Sequence, residues 1–232
     1  MHIKAALLLA ALTSCTNTTL VGNGTPGLDN RPVPELDSLS VSEDFHAVVS
    51  IGPRTSLTLS GDDNLLPHVV TEVIGKRLVV RLPDHTSFET SIPTRVELTV
   101  PSLVAVDASG AATVDGTVAP TSRFDVAASG AAEIHLRGID SATTVAASGE
   151  AIVELRGRST STHVDASGAA AVHNQALDAA DLVVGASGNA AVEAQANLTI
   201  SATVSGNSLV QVWGNPLARD LYTSGNASIR FR

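Results

Sequence analysis

The sequence is poor in the residues that usually fill a broad globular core. Its 232 residues include one Cys, one Met, one Trp, one Tyr and four Phe. A single Cys excludes a disulfide framework and a Cys-based zinc site. Basic residues are also scarce, 14 Lys and Arg against 23 acids, for a formal net charge of −9. That balance excludes nucleic acid as a partner, because such binding needs a basic face to displace counterions. No apolar run reaches the ~20 residues that a membrane-spanning helix requires. What remains is a hydrophobic fraction of 44% carried by Ala, Val, Leu and Ile. That fraction excludes disorder throughout and suits a narrow core.

The first residues read as an export signal. Met1-His2-Ile3-Lys4 supplies a positive start, and Ala5–Leu12 is an apolar run of signal-peptide length. The run ends Leu12-Thr13-Ser14-Cys15, which resembles the bacterial lipobox. Small side chains admit the signal peptidase, and the thiol accepts diacylglycerol. The resemblance implies residues 1–14 as a signal peptide, a lipidated Cys15 and a membrane partner held through the acyl chains. More than one chain is needed for stable anchoring. Thr16 rather than Asp after the Cys implies sorting to the outer membrane, on its periplasmic or surface face. Residues 15–37, rich in Thr, Asn, Gly and Pro without periodicity, predict a flexible tether.

The second half of the chain repeats. Ser-Gly pairs end at Gly110, Gly130, Gly149, Gly168, Gly188, Gly206 and Gly225, spaced 18 to 20 residues apart. Four residues after each Gly stand Val114, Ile134, Val153, Val172, Val192, Val210 and Ile229. Two after it, and two and four before it, Ala and Val predominate. Apolar residues at every second position mean strand. A period near 19 predicts an all-β fold, a parallel right-handed β-helix or solenoid of about seven repeats over residues 104–232. Small side chains suit a sharp bend, where opposite walls meet, and Gly suits its dihedral angles. The polar, variable remainder of each period, such as Arg137–Thr143, predicts loops and a third side.

Residues 38–103 lack this period. Phe45–Ile51, Ser56–Ser60 and Arg95–Val100 read as strands, and Val69–Val73 with Leu78–Leu82 as a hairpin around Gly75-Lys76. Two arrangements fit, a small antiparallel layer or irregular first coils. Either one caps an end of the solenoid, whose open strand edges would otherwise pair with other chains. Several features in order then resemble a bacterial family, the putative auto-transporter adhesin head or GIN domain. They are Leu57-Thr58-Leu59-Ser60-Gly61-Asp62-Asp63-Asn64, Thr71-Glu72-Val73 with Leu78-Val79-Val80, Val100-Pro101-Ser102-Leu103, the Ser-Gly-Ala repeats, Gly214-Asn215-Pro216 and the ending Ser224–Ile229. The resemblance spans about Leu39 to Arg232 and implies an exported, often lipidated β-helical protein.

The most pointed constellation is the outward column five residues after each Gly: Asp115, His135, Glu154, His173, Glu193, Gln211 and Arg230. Acid and imidazole alternate on adjacent rungs. One reading is a charge ladder; the other is a divalent-metal or pH-responsive stripe with His135 and His173 as ligands. Asn189, Asn207 and Asn226 share one column and predict an amide ladder. Trp213 and Tyr222 are candidates for an aromatic contact. Asp62-Asp63-Asn64 lacks the spacing of a calcium loop and reads as a turn. No nucleophile elbow, phosphate loop, zinc-protease or dinucleotide fingerprint occurs, and no cofactor is implied. His163, Asp165, Ser161 and Ser167 are near in sequence without forming a recognisable triad. The sequence therefore predicts a non-enzymatic, lipid-anchored envelope binding or adhesion module whose partner is an envelope protein or a glycan. The alternative is a carbohydrate-active β-helix that binds or cleaves polysaccharide.

Overall fold

The alternation of small and branched aliphatic residues on either side of each Ser-Gly pair does generate strands. In the computed structural model, which describes residues 18–232, they stack into one β-solenoid. Cys15 and the signal segment 1–14 lie outside the described residues. Strands before each corner form one parallel column, sheet 1, running from Ala105–Ala108 and Arg123–Ala128 to Thr199–Val204 and Ala218–Thr223. Strands after it form sheet 2, from Thr113–Thr117 and Glu133–Asp140 to Leu209–Trp213 and Ser228–Phe231. The seven corners enclose six complete turns. The third side is strand-paired in part, Ile139–Asp140 against Gly157–Arg158 and these against Leu177–Asp178.

Each corner has the same construction. The residue after the Gly donates its N–H to the carbonyl of the Gly one coil earlier, as Ala131 to Gly110 and Ala169 to Gly149, both at 2.7 Å. The corner glycines have φ between 71° and 78°, a left-handed region that other L-residues enter at a cost. A Cβ on Gly168 would lie 2.9 Å from the Gly149 carbonyl oxygen, and one on Gly206 2.5 Å from that of Gly188. Both the dihedral and the space therefore demand glycine. Glu43 extends this column upward without being glycine: its φ is 66° and its carbonyl accepts from Ala111 at 2.7 Å.

The core follows the predicted parity. Val114, Ile134, Val153 and Val172 are in register in a single file and fully buried. The Ala residues flanking the corners, such as Ala112, Ala132 and Ala151, are equally buried, which lets the two sheets close to a narrow angle. Burial of this apolar file contributes about 25 cal/mol per Å² removed from water.

At the N-terminal end the cap combines both arrangements allowed by the sequence. Coils occur out of chain order. Ser38–Val41 and His46–Ile51 form a coil stacked on Ala105–Ala108 and Thr113–Thr117. On its other side lie the later segments Arg77–Arg81 and Arg95–Val100. Two antiparallel additions finish the stack, Val70–Ile74 on Arg77–Arg81, and Ser56–Asp62 followed by Pro26–Arg31 on Arg95–Val100. Residues 38–103 thus continue the same pile as residues 104–232.

The expectation of a free tether over residues 15–37 fails from Thr18 onward. Thr18–Val21 pairs in parallel with Thr86–Glu89, and Pro26–Arg31 pairs with Ser56–Asp62. These strands bury little side chain, so no apolar alternation marks them. They are held by polar clasps instead. Arg31 donates to the carbonyls of Val69 and Leu66 at 2.5 and 2.7 Å and to Asp29 at 2.9 Å. Asp62, fully buried, accepts from the backbone N–H groups of Gly24, Ser91 and Ile92 at 2.7 to 2.9 Å. The Ile92 N–H is the strongest influence on its carboxyl. Burial opposes it and the other two N–H groups reinforce it, leaving the pKa below the usual carboxylate range.

Two outcomes follow from these contacts. Gly168→Ala is expected to cost about 2–4 kcal/mol from left-handed strain and overpacking, measured by denaturant unfolding, with Ser167→Ala within about 0.5 kcal/mol of the parent. Because the folded pKa of Asp62 is depressed, its contribution is complete above the unfolded value of ~3.9 and is lost as pH falls through the folded value. Hydrogen exchange of residues 18–31 should therefore accelerate selectively below that range. Asp62→Asn, which cannot accept at both carboxyl oxygens, should reproduce the acceleration at neutral pH.

Candidate functional site

Strand parity divides the outer surface into two faces. On sheet 1 the outward column three residues before each Gly reads Asp107, Ala127, Ala146, Asp165, Gly185, Thr203 and, on the last coil, Tyr222, all in register. From Asp107 to Thr203 their short side chains leave an open groove of about 550 Å³ along the stack, bordered by the corner serines Ser109 to Ser205. Its charged groups are already engaged. Arg77 donates to Asp107, and Asp165 Oδ2 lies 2.9 Å from His163 Nε2. Gly185 makes room for the Asp165 carboxylate, whose Oδ1 would lie 2.6 Å from a Cβ there. Three rungs separate Asp107 from Asp165, about 14 Å at strand spacing. That exceeds the ~5–9.5 Å between paired acids in glycoside hydrolases.

On sheet 2 the predicted ladder is present but interrupted. Asp115 is shared: its Oδ2 lies 2.7 Å from His46 Nε2 and its Oδ1 3.3 Å from His135 Nδ1. His173 Nδ1 lies 2.9 Å from Glu193 Oε2, and Gln211 donates to Glu193 at 3.5 Å. Between these clusters Glu154 turns along its own strand and accepts from Arg156 Nε at 2.7 Å. A shallow polar groove of about 370 Å³ lies here, lined by Asp115, His135, Arg137, Glu154 and Arg156. Among the described residues no three His, Cys, Asp or Glu side chains converge to hold a metal ion. The contacts are local His–carboxylate and Arg–carboxylate pairs. His46 joins the cluster from the column two residues earlier, diagonal to Asp115, which a search of one column cannot find.

Trp213 and Tyr222 are not brought together. Trp213 points outward from sheet 2 beside Gln195, and Tyr222 from sheet 1 beside Thr203. The amide ladder does form: Asn207 Nδ2 donates to Asn189 Oδ1, and Asn226 Nδ2 to Asn207 Oδ1, both at 3.2 Å. The sheet 1 groove was not evident from the sequence, although its signal was there: a short side chain three before each Gly from Gly110 to Gly206, ending at Tyr222 on the last coil.

The family described as "Putative auto-transporter adhesin, head GIN domain" matches residues 35–216, and the chain belongs to it. No curated protein matches the chain. Solved structures share its fold at low identity. A putative adhesin from Bacteroides fragilis NCTC 9343 superposes with a TM-score of 0.85 at 15% identity, covering 92% of this chain and 100% of that one. A putative lipid binding protein from Parabacteroides distasonis ATCC 8503 gives 0.75 at 15% identity, with 93% and 100% covered. A putative adhesin from the same organism gives 0.71 at 15% identity, with 92% and 100% covered.

Exposed ladder pairs contribute little to stability. Asp115→Asn should cost less than about 1 kcal/mol by denaturant unfolding. Calorimetric titration with Zn²⁺ should show no stoichiometric binding in parent or variant.

Proposed function

We propose that the chain is a cell-envelope binding or adhesion module, tethered through acylated Cys15 at the outer membrane, that holds an extended ligand without chemical conversion. The observation that carries this reading is the straight groove on sheet 1, open along its length and floored by Ala127, Ala146 and Gly185. Its repeat matches strand spacing, so a glycan chain or an extended polypeptide of the envelope can lie along it, meeting backbone and serine hydroxyls at each rung. Membership of an adhesin family supports the location and the binding role. The engagement of Asp107 by Arg77 and of Asp165 by His163 leaves no free acid pair there, which weighs against the carbohydrate-active alternative. Among the described residues no helix is long and apolar enough to cross a membrane.

The test is capture from native envelopes with crosslinking and a glycan-array readout. Ala146→Arg places a long cation in the groove from an exposed position and should weaken binding by roughly tenfold or more. Thr113→Arg, on the outer face of sheet 2, should leave binding unchanged. Equal binding by Ala146→Arg, or turnover of a bound polysaccharide, would refute the proposal.

A further inference from the structure

The last coil leaves its interior uncovered. Leu221 stands in register with Ala202 and Val184, which are each 2% exposed, yet it is itself 40% exposed. Among the described residues Ala218–Thr223 pairs only with Thr199–Val204, and Ser228–Phe231 only with Leu209–Trp213. Each therefore keeps one free backbone edge. The two edges are level, because the strands beneath them belong to one coil. The N–H groups of Ala218, Ser224, Ser228 and Arg232 point back into the stack, to the carbonyls of Leu198, Val204, Ser208 and Val212. The alternate residues, among them Leu221 and Ile229, turn their backbone groups to the open side. By parity these are also the inward residues.

This end is complementary to itself. Gly225 divides it evenly: Arg219, six residues before the glycine, and Phe231, six after it, meet across the interior with the guanidinium 4.0 Å from the ring centroid. A twofold axis lying across the end and through the corner exchanges sheet 1 with sheet 2. It lays a strand that runs toward the corner on one that runs away from it, so both junctions are antiparallel. Residues equally far from Gly225 come face to face. Leu221 meets Ile229 of the second copy, inward on inward, as a hydrogen-bonded pair. Asp220 meets Arg230 of the second copy, outward on outward, at the closer, non-hydrogen-bonded spacing.

Asp220 and Arg230 are both exposed, and among the described residues neither takes part in an ion pair or a side-chain hydrogen bond. Arg232, two residues further along the outward column, reaches the same Asp220 diagonally. Because the sheets exchange, Arg230 lies on the opposite side of the pair from its own counterpart, and no like charges are directly opposed.

We propose that the chain forms a closed dimer with a second copy of itself, the two last coils joined tail to tail as continuous sheets. Such an interface is isologous: each contact occurs twice and the assembly stops at two. It covers the inward residues of the last coil and pairs both free edges at once.

Sedimentation velocity of the full chain over a concentration series is the test, with circular dichroism confirming that each variant is folded. The parent should pass from monomer to dimer and no further. Asp220→Arg and Arg230→Asp each place like charges opposite one another at both junctions and should weaken dimerisation by roughly tenfold or more. The chain carrying both substitutions should recover it. An equimolar mixture of the two single variants should recover it too, since opposite charges again meet at both junctions. A parent that stays monomeric, or that grows beyond dimers, overturns the proposal. So do single reversals that leave dimerisation unchanged, or a doubly substituted chain that fails to recover it.

Discussion

At every corner of the solenoid an amide reaches the glycine carbonyl one coil away, and the approach leaves no space for a side chain. The geometry fixes the distance between coils at that edge, so the strands leaving the corner on both sides enter register with their neighbours. The inward files of Val and Ala follow from that register and could not form without it. Narrowness, small core residues and the lack of aromatics are thus one constraint seen three times. A chain with large side chains beside the corners, where Ala112, Ala132 and Ala151 stand, could not close the angle between the sheets.

The same constraint sorts the outer surface. Because parity is fixed at the corner, residues at a given offset always emerge on the same face, and each offset becomes a straight column. Sheet 1 thereby acquires a groove, while sheet 2 acquires a polar column whose side chains pair locally. Function in such a molecule is a property of columns, and a single substitution changes one rung of a surface that is otherwise repeated. The groove is the face on which the corner serines recur at successive rungs.

Much of this was legible in the sequence because repetition amplifies weak signals. One Val at an alternate position means little, whereas Val114, Ile134, Val153 and Val172 at one offset from a glycine define a strand and its buried side. Where repetition stopped, so did legibility. Glu43 occupies a corner position without the glycine that marks the others. The strands Thr18–Val21 and Pro26–Arg31 are held by Asp62 and Arg31 and bury few side chains, so no hydrophobic period betrays them. The family resemblance pointed to the right fold, and the matching residues confirm it, but the groove emerged only when Ala127, Ala146 and Gly185 were placed side by side. In the polar column, His46 belongs to a neighbouring offset and reaches Asp115 diagonally, a contact that linear spacing does not contain.

The displaced coil at the N-terminal end bears on how the molecule comes to be built. Residues 38–51 lie between two layers that are both made later, one from residues 77–100 and one from residues 105–117. A chain emerging from its N-terminus cannot complete that layer by simple winding. It must hold the segment half-covered until more than fifty further residues have arrived, and only then can winding proceed coil by coil. Assembly therefore begins with long-range closure, the slow step in folding, and ends with local addition, which makes the N-terminal third the gatekeeper of maturation.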